Sequence, residues 1–182
     1  EFPQKSSNTF QLVNQCTQFP NDEVTCYEQR LCQLEDGTLV VISWNVNVKT
    51  GERMNNHITI SVDNGKTFGA PIDTGIRGEA SSILSLGGNK VLTIHAIRRD
   101  TDEPGIYFCV AEIKDGRFIP IEMQRVWEPK TAVVKNKHMA EIFAFLKFGQ
   151  PGAIKLPDGK ILMAHWICEE GVYKTVANCI EL

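Results

Sequence analysis

The sequence predicts an all-β protein that is built from repeated antiparallel sheets. Three segments share one pattern, in which an apolar residue is followed by a short turn and a second apolar run: Leu34–Val40, Leu86–Leu92 and Leu156–Leu162. They begin 52 and then 70 residues apart, a spacing that is typical of arrays of similar units. Each turn contains a residue type that tolerates a left-handed backbone, namely Gly37, Asn89 or Gly159.

Strand signals follow each turn in the same order. The first run is continuously apolar, which suits a strand that is buried on both faces: Leu39–Ile42, Val91–Ile94 and Ile161–Ala164. The second run is rich in β-branched and aromatic residues: His57–Ser61, Ile106–Ala111 and Val172–Ala177. Turns at 61–68 and 114–117 lead to a fourth strand in the first two units, so each unit is expected to be a four-stranded meander. The third unit has three clear strands, and a strand near Phe10–Gln15 would belong to a neighbouring unit or close this one.

The stretch from Ser61 to Phe68 carries the most specific motif of the chain, S-x-D-x-G-x-T-F. The Asp side chain can accept hydrogen bonds from backbone N–H groups ahead of it, and the Asn-Gly pair supplies positive φ. An ordinary hairpin is the alternative, because Asn-Gly between apolar runs is itself a hairpin signal. The residues expected to build the turn are Ser61, Asp63, Gly65, Thr67 and Phe68.

This motif resembles the Asp-box of sialidase-like (BNR-repeat) β-propellers, where the last position is usually Trp. Tyr27–Leu31 and Gly149–Gly152, which enter the first and third repeats, add to the resemblance. It implies a single domain over residues 1–182, a β-propeller of four-stranded antiparallel blades. About three blades are expected, half of a six-bladed ring. The chain would then be a C-terminal half, a processed fragment, or a half-propeller that pairs with a second copy.

Composition and charge exclude several classes of protein. With 182 residues, 42% of them hydrophobic, the chain can bury a real core. The net charge of −3 gives no basic patch for nucleic acid or an anionic membrane, and no apolar run approaches the roughly 20 residues that span a bilayer.

The six cysteines form no C-x-x-C pair, so neither a metal nor another cofactor is expected. Cys109 and Cys179 are expected to be buried thiols, whereas Cys16 and Cys26 would close a loop in an oxidising compartment. Localisation stays open between secreted and cytoplasmic.

Residues 123–148 interrupt the strand pattern. Within them Met139, Ile142, Phe143 and Leu146 recur at the spacing of one helix face, which predicts a short helix over 137–147. The helix would pack on the edge of a blade or cover a pocket.

The propeller geometry that the resemblance implies limits where a site can lie. The beginning of each first strand and the end of each second strand share one face of the disc, whereas the Asp-box lies on the opposite face and is expected to be structural. First-strand candidates are Glu28, Arg30, Arg77, Glu79 and Gln150. Second-strand candidates are Asn45, Arg98, Arg99, His165 and Trp166. A surface ion pair is the alternative reading of each Glu–Arg pair.

Sialidases hold a substrate carboxylate with an arginine cluster, and they use a Tyr activated by a Glu together with an Asp acid/base. The resemblance therefore makes Glu28 and Glu79 catalytic candidates, and it makes Arg30, Arg77, Arg98, Arg99 and Gln150 substrate-binding candidates. No tyrosine is clearly placed as the nucleophile among Tyr27, Tyr107 and Tyr173.

The expected function is sialidase-type recognition, with hydrolysis of a carbohydrate as its further step. The alternatives are a non-catalytic glycan- or protein-binding propeller and a truncated chain without function of its own. The expected partners are a carbohydrate and either a second copy or the remaining blades.

Overall fold

The computed structural model describes residues 15–20, 23–99, 101–130 and 146–182. Eleven strands lie in these ranges: β1 (Val24–Gln33), β2 (Leu39–Asn47), β3 (His57–Ser61), β4 (Ile72–Asp73), β5 (Glu79–Gly87), β6 (Lys90–Ile97), β7 (Gly105–Lys114), β8 (Arg117–Trp127), β9 (Phe148–Lys155), β10 (Ile161–Glu169) and β11 (Val172–Ile180). Sheet 1 is β1-β2-β3-β4, sheet 2 is β5-β6-β7-β8, and sheet 3 is β9-β10-β11. All pairs are antiparallel between strands that are consecutive in the chain, so each sheet is a meander.

The all-β prediction with repeated sheets is confirmed, since the described ranges contain strands, turns and bends but no helix. The predicted helix over 137–147 and the strand near Phe10–Gln15 lie almost wholly outside the described residues. In the part of the chain that the structure covers, no helix is long and apolar enough to span a bilayer.

The three repeat turns form the β1–β2, β5–β6 and β9–β10 hairpins. Gly37 (φ 89°) and Gly159 (φ 90°) adopt the expected left-handed backbone. The prediction for Asn89 is wrong, because Gly87 (φ 115°) and Gly88 (φ 55°) take the positive φ in the second hairpin. Asn89 instead donates its amide to Glu112 Oε1 at 2.8 Å and to the Ile113 carbonyl at 3.2 Å, which ties this hairpin to β7.

Two apolar layers hold the three sheets together, and sheet 2 lies in the middle. Val40, Ile42 and Ile58 of sheet 1 pack on one face of sheet 2. The other face of sheet 2 packs on sheet 3, and its contacts include Ile94 and Met163. Both faces of sheet 2 are therefore buried, which explains the continuous apolar run of β6.

All six cysteines are free thiols, including Cys16 and Cys26. Cys109 is buried in β7 as expected, and burial raises the pKa of its thiol to about 11. The expectation for Cys179 is wrong, because this side chain is exposed on a face of sheet 3 that no described residue covers.

A buried polar chain crosses from sheet 1 to sheet 2. The Asn56 amide donates to Ser81 Oγ at 2.7 Å, and Ser81 Oγ lies 2.9 Å from His95 Nδ1. His95 Nε2 lies 2.8 Å from Thr93 Oγ1, so both ring nitrogens have a partner. Asn56 Oδ1 also accepts the Gly78 N–H at 2.7 Å, which fixes the backbone where β5 begins.

The β3–β4 turn is held by a compact set of hydrogen bonds. Asp63 Oδ1 accepts from Ser61 Oγ and from the Thr67 N–H, both at 2.8 Å, and Asp63 Oδ2 accepts from Thr67 Oγ1 at 2.6 Å. Ser61 Oγ in turn accepts the Gly65 N–H at 2.9 Å, and Asn64 and Gly65 both have positive φ. The hydrogen bonds from Thr67 and Ser61 lower the pKa of Asp63 to about 2.

Asp63→Ala is expected to lower the melting temperature, because the Thr67 N–H and two hydroxyl groups lose their acceptor. Asp36→Ala is the matched control, since Asp36 accepts the Thr38 N–H in the β1–β2 hairpin. Thermal unfolding followed by circular dichroism should show the larger loss for Asp63. Equal losses would contradict a special role for this turn.

Acid is expected to destabilise the fold through His95. Complete burial lowers the pKa of His95 from 6.5 to about 3. The unfolded chain therefore binds a proton that the folded chain does not, and stability present above pH 6.5 is lost as the pH falls towards about 3. Urea unfolding at several pH values gives the free energy of unfolding as a function of pH. Between about pH 3 and 6.5 this free energy should fall more steeply with acid in the wild type than in His95→Gln, by up to about 1.4 kcal/mol per pH unit. Identical slopes would rule this out.

Candidate functional site

A backbone irregularity recurs at the same place in the first strand of every sheet. Glu28 (φ 47°), Ala80 (φ 52°) and Gln150 (φ 49°) have positive φ although none is glycine. Each lies in a register shift: between Tyr27 and Arg30, between Glu79 and Ser82, and opposite Ala164 and Trp166. These bulges turn the flanking side chains away from the regular alternation of the strand.

The register shows which positions of the three first strands are equivalent. Tyr27 pairs with Trp44, Glu79 with Ala96, and Gly149 with Trp166. Glu79 therefore matches Tyr27, and Glu28 matches Ala80 and Gln150. The Glu28–Arg30 and Arg77–Glu79 pairs therefore do not occupy equivalent positions in sheets 1 and 2.

Glu79 is the centre of a buried ion-pair cluster that two loops supply with arginines. Arg53, in the β2–β3 connection, donates from Nη1 to Glu79 Oε1 at 3.2 Å. Arg98, which follows β6, donates from Nε to Glu79 Oε2 at 3.0 Å, and Arg99 Nη2 also pairs with Oε1. Only 6% of the Glu79 side chain is exposed. Three guanidinium groups thus surround one carboxylate.

Burial and charge oppose each other in this cluster. Burial alone raises the pKa of Glu79, but the hydrogen bond from Arg99 and the charge of Arg98 outweigh it, so the net pKa lies below its usual value. Burial lowers the pKa of Arg98, and the charges of Glu79 and Glu28 offset part of that shift. Glu79 is therefore ionised, and its oxygens are already occupied by donors.

A second cluster joins sheet 1 to sheet 3. Trp44 Nε1 donates to Glu28 Oε2 at 2.7 Å, and the Gln150 amide donates to Glu28 Oε1 at 3.0 Å across 122 residues of sequence. The Tyr27 ring stacks on Trp44 with centroids 4.3 Å apart. The Glu28 carboxylate is therefore fixed in place by one donor on each oxygen.

Arg98 links the Glu79 cluster to the start of sheet 3. Its Nη1 donates to the Phe148 carbonyl at 2.8 Å, so one guanidinium bridges sheet 2 and the start of sheet 3. Gly149 makes this possible, because a Cβ there would lie 2.2 Å from Arg98 Nη1. We call the area formed by Glu28, Gln150, Arg53, Glu79, Arg98 and Arg99 the strand-start site.

The remaining candidate residues from the sequence analysis lie outside the strand-start site. Arg30 is exposed and donates to the Gln29 carbonyl, and Arg77 is also exposed. Burial is the main reason why the pKa of Arg53 is lowered, and the charge of Arg77 contributes to the same shift. Asn45 is buried among Ser43, Asn55 and His57. His165 is buried against Trp127, and Trp166 packs near Tyr173. Of these residues, Arg77 is the one whose charge acts on the strand-start site.

Sequence reasoning missed Arg53 and Trp44. Arg53 lies in the β2–β3 connection, where neither periodicity nor a motif marks it. This connection begins at the end of a second strand, and the sequence analysis expected such strand ends to lie on the same face as the candidate site. Trp44 lies one residue before the candidate Asn45, and only the bulge at Glu28 brings its indole N–H to the carboxylate.

The arrangement has the chemistry of an anion-binding or polyol-binding surface. Counting Arg77, the described residues bring four guanidinium groups and two carboxylates to this area. Arg99 Nε is buried without a hydrogen-bond partner in the structure. Among the described residues no group of three His, Cys, Asp or Glu side chains is placed to hold a metal ion.

Comparisons with solved structures show the fold. A protein of unknown function from Dyadobacter fermentans DSM 18053 matches with a TM-score of 0.62 at 19% identity, over 87% of this chain and 39% of that one. The Bacteroides ovatus xyloglucan PUL GH43B matches with 0.56 at 15%, over 85% and 26% of the two chains. The NanB sialidase from Streptococcus pneumoniae matches with 0.53 at 14%, over 76% and 20%. The chain therefore spans less than two-fifths of each neighbour. No family model and no curated protein sequence matches it.

Gly149→Ala is expected to destabilise the chain, because the new Cβ displaces the Arg98 guanidinium from Glu79 and from the Phe148 carbonyl. The loss should be about 1–3 kcal/mol, the cost of leaving buried polar groups without partners. Gly152→Ala, in the same strand, is the control, since a Cβ there meets nothing within 4 Å. Denaturant unfolding measures both, and equal stabilities would contradict the bridging role of Arg98.

Proposed function

We propose that the chain is part of a sialidase-like β-propeller that recognises a carbohydrate at the strand-start site. The observation that carries the proposal is the convergence of Glu28, Gln150 and the Glu79–arginine cluster from three sheets at the beginnings of their first strands. The fold that the chain shares with two glycoside-hydrolase structures supports it. A ring completed by further blades belongs to the same proposal.

The chemistry of the site suits an acidic sugar. Arginine binds carboxylates through two parallel hydrogen bonds, and a cluster of guanidinium groups attracts an anion before contact. Glu28 retains lone pairs for sugar hydroxyl groups, because the donors from Trp44 and Gln150 use one direction on each oxygen. Glu79 holds the arginines in place, since its oxygens already accept from three of them.

Sugar binding can be tested by NMR titration of the chain with N-acetylneuraminic acid, with uncharged N-acetylglucosamine as the comparison. We expect shifts with the acidic sugar at millimolar concentration. Arg77→Ala should weaken that binding severalfold, because one positive charge is lost at an exposed position that leaves the fold intact. Arg117→Ala, an exposed arginine at the β7–β8 hairpin, is the control. Equal response to both sugars, or to neither, would contradict acidic-sugar recognition.

Hydrolysis and binding alone are separated by a second measurement. A fluorogenic sialoside incubated with the chain reports bond cleavage directly. Release that disappears in Glu28→Gln would favour an exo-glycosidase of the sialidase type. Binding without release would favour the alternative, a glycan-binding propeller that lacks catalysis.

A further inference from the structure

The β3–β4 turn contains a pair of residues that the proposed function does not use, Asn64 and Gly65. Asn64 is the only asparagine in the 182-residue sequence that a glycine follows. Its side chain is exposed, so water and base reach the amide. Because glycine has no Cβ, nothing on Gly65 hinders the approach of its backbone nitrogen to that amide. At this pair the main chain can therefore attack a side-chain amide with less hindrance than at any other asparagine of the sequence.

The reaction open to this pair is deamidation, which needs only water as a co-reactant. The Gly65 nitrogen loses its proton to hydroxide and bonds to Asn64 Cγ. The bond from Cγ to the amide nitrogen breaks, and that nitrogen takes up a proton and leaves as ammonia. Water then opens the five-membered succinimide ring at one of its two carbonyls. Opening at Cγ gives aspartate, and opening at the main-chain carbonyl gives isoaspartate, in which the chain continues through the side chain.

The closed turn opposes the first step in two ways. The Gly65 N–H donates to Ser61 Oγ at 2.9 Å, and Ser61 is only 1% exposed, so a buried acceptor holds the proton that must leave. Asn64 has φ 59°, in the left-handed region, where ψ is about +47° and the next backbone nitrogen points away from Cβ. Ring closure needs rotation about the bond between Asn64 Cα and its carbonyl carbon. The reactive form is therefore a turn that has opened at both points.

Asp63 is the residue that keeps this turn closed. Its Oδ1 accepts from the Thr67 N–H at 2.8 Å, and its Oδ2 accepts from Thr67 Oγ1 at 2.6 Å. Its Oδ1 also accepts from Ser61 Oγ at 2.8 Å, which leaves the lone pairs of that hydroxyl oxygen for the Gly65 N–H. The hydrogen bonds that build the turn therefore also hold the reactive nitrogen.

We propose that Asn64 is the deamidation site of this protein, and that the hydrogen bonds of Ser61 and Asp63 set the rate of its conversion by keeping the turn closed. Surface turns open at a much lower free energy than the whole fold, so the reaction proceeds from the native chain without global unfolding. Isoaspartate lengthens the main chain within the span from Ser61 to Gly65, and it adds a negative charge beside Asp63. A turn with isoaspartate therefore does not close as before, and the two-residue strand β4 is held less firmly.

Incubation of the purified 182-residue chain in mildly alkaline buffer, followed by peptide mapping with mass spectrometry, measures the conversion. A synthetic peptide of residues 61–68 gives the rate of the unrestrained pair. Asn64 should convert about 10- to 100-fold more slowly in the folded chain, because a surface turn must open first. Ser61→Ala should raise the rate in the folded chain about fivefold, since a hydrogen bond that closes the turn is lost. Thr67→Val, a change of similar size at an exposed position, should raise it too.

Two controls separate local opening of this turn from other causes. Asp36→Ala removes the acceptor of the Thr38 N–H in the β1–β2 hairpin and should leave the Asn64 rate unchanged. Asn64→Gly, which tolerates the same positive φ, should abolish the gain of mass that accompanies conversion of the amide to an acid. Conversion as fast as in the peptide, or an equal increase of the rate in Asp36→Ala, would overturn the proposal. So would conversion at another asparagine in place of Asn64, or an Asn64 still intact when a delay of about a hundredfold would have converted most of it.

Discussion

The burial of one carboxylate, Glu79, among three arginines constrains the whole strand-start region. An unpaired buried charge is very costly, so the carboxylate and its guanidinium partners must be placed together or not at all. The β2–β3 connection and the segment after β6 are held at the start of β5 for this reason. Arg98 extends the constraint to sheet 3 through the Phe148 carbonyl. Packing of the sheets and geometry of the site therefore depend on the same contacts.

Backbone strain contributes to the same arrangement. A left-handed backbone costs roughly 1–2 kcal/mol at a residue with a Cβ, and it occurs at the equivalent positions Glu28, Ala80 and Gln150. Such conformations persist where the surrounding structure determines them, and they concentrate at functional sites. At the second of these positions, Asn56 and His95 hold the backbone on both sides through Gly78 and Ser81. The buried polar chain from Asn56 to Thr93 therefore supports the backbone of the strand-start site at β5.

Sheet 1 and sheet 3, which lie on either side of sheet 2, differ in how the described residues cover their outer faces. Residues 15–20 cover sheet 1 through polar and aromatic contacts, whereas sheet 3 leaves an apolar face open. The strand-start site lies at the beginnings of the first strands, while the open face lies along the length of sheet 3. The strand-start site and the open face of sheet 3 are therefore different surfaces.

The sequence pattern missed the end of β8, where residues 123–127 extend the strand to Trp127 instead of interrupting it. It did predict the order of the strands and the hairpins, because these depend on local alternation, apolar runs and turn residues such as Gly37 and Gly159. It also indicated Glu28, Glu79 and Arg98 through their positions at strand ends. Tertiary structure alone decided that Gln150 reaches Glu28 across 122 residues and that Arg53 joins Glu79. Those contacts depend on bulges and on sheet-to-sheet packing, in which a shift of one residue reverses the direction of a side chain. No local pattern in the sequence records that shift.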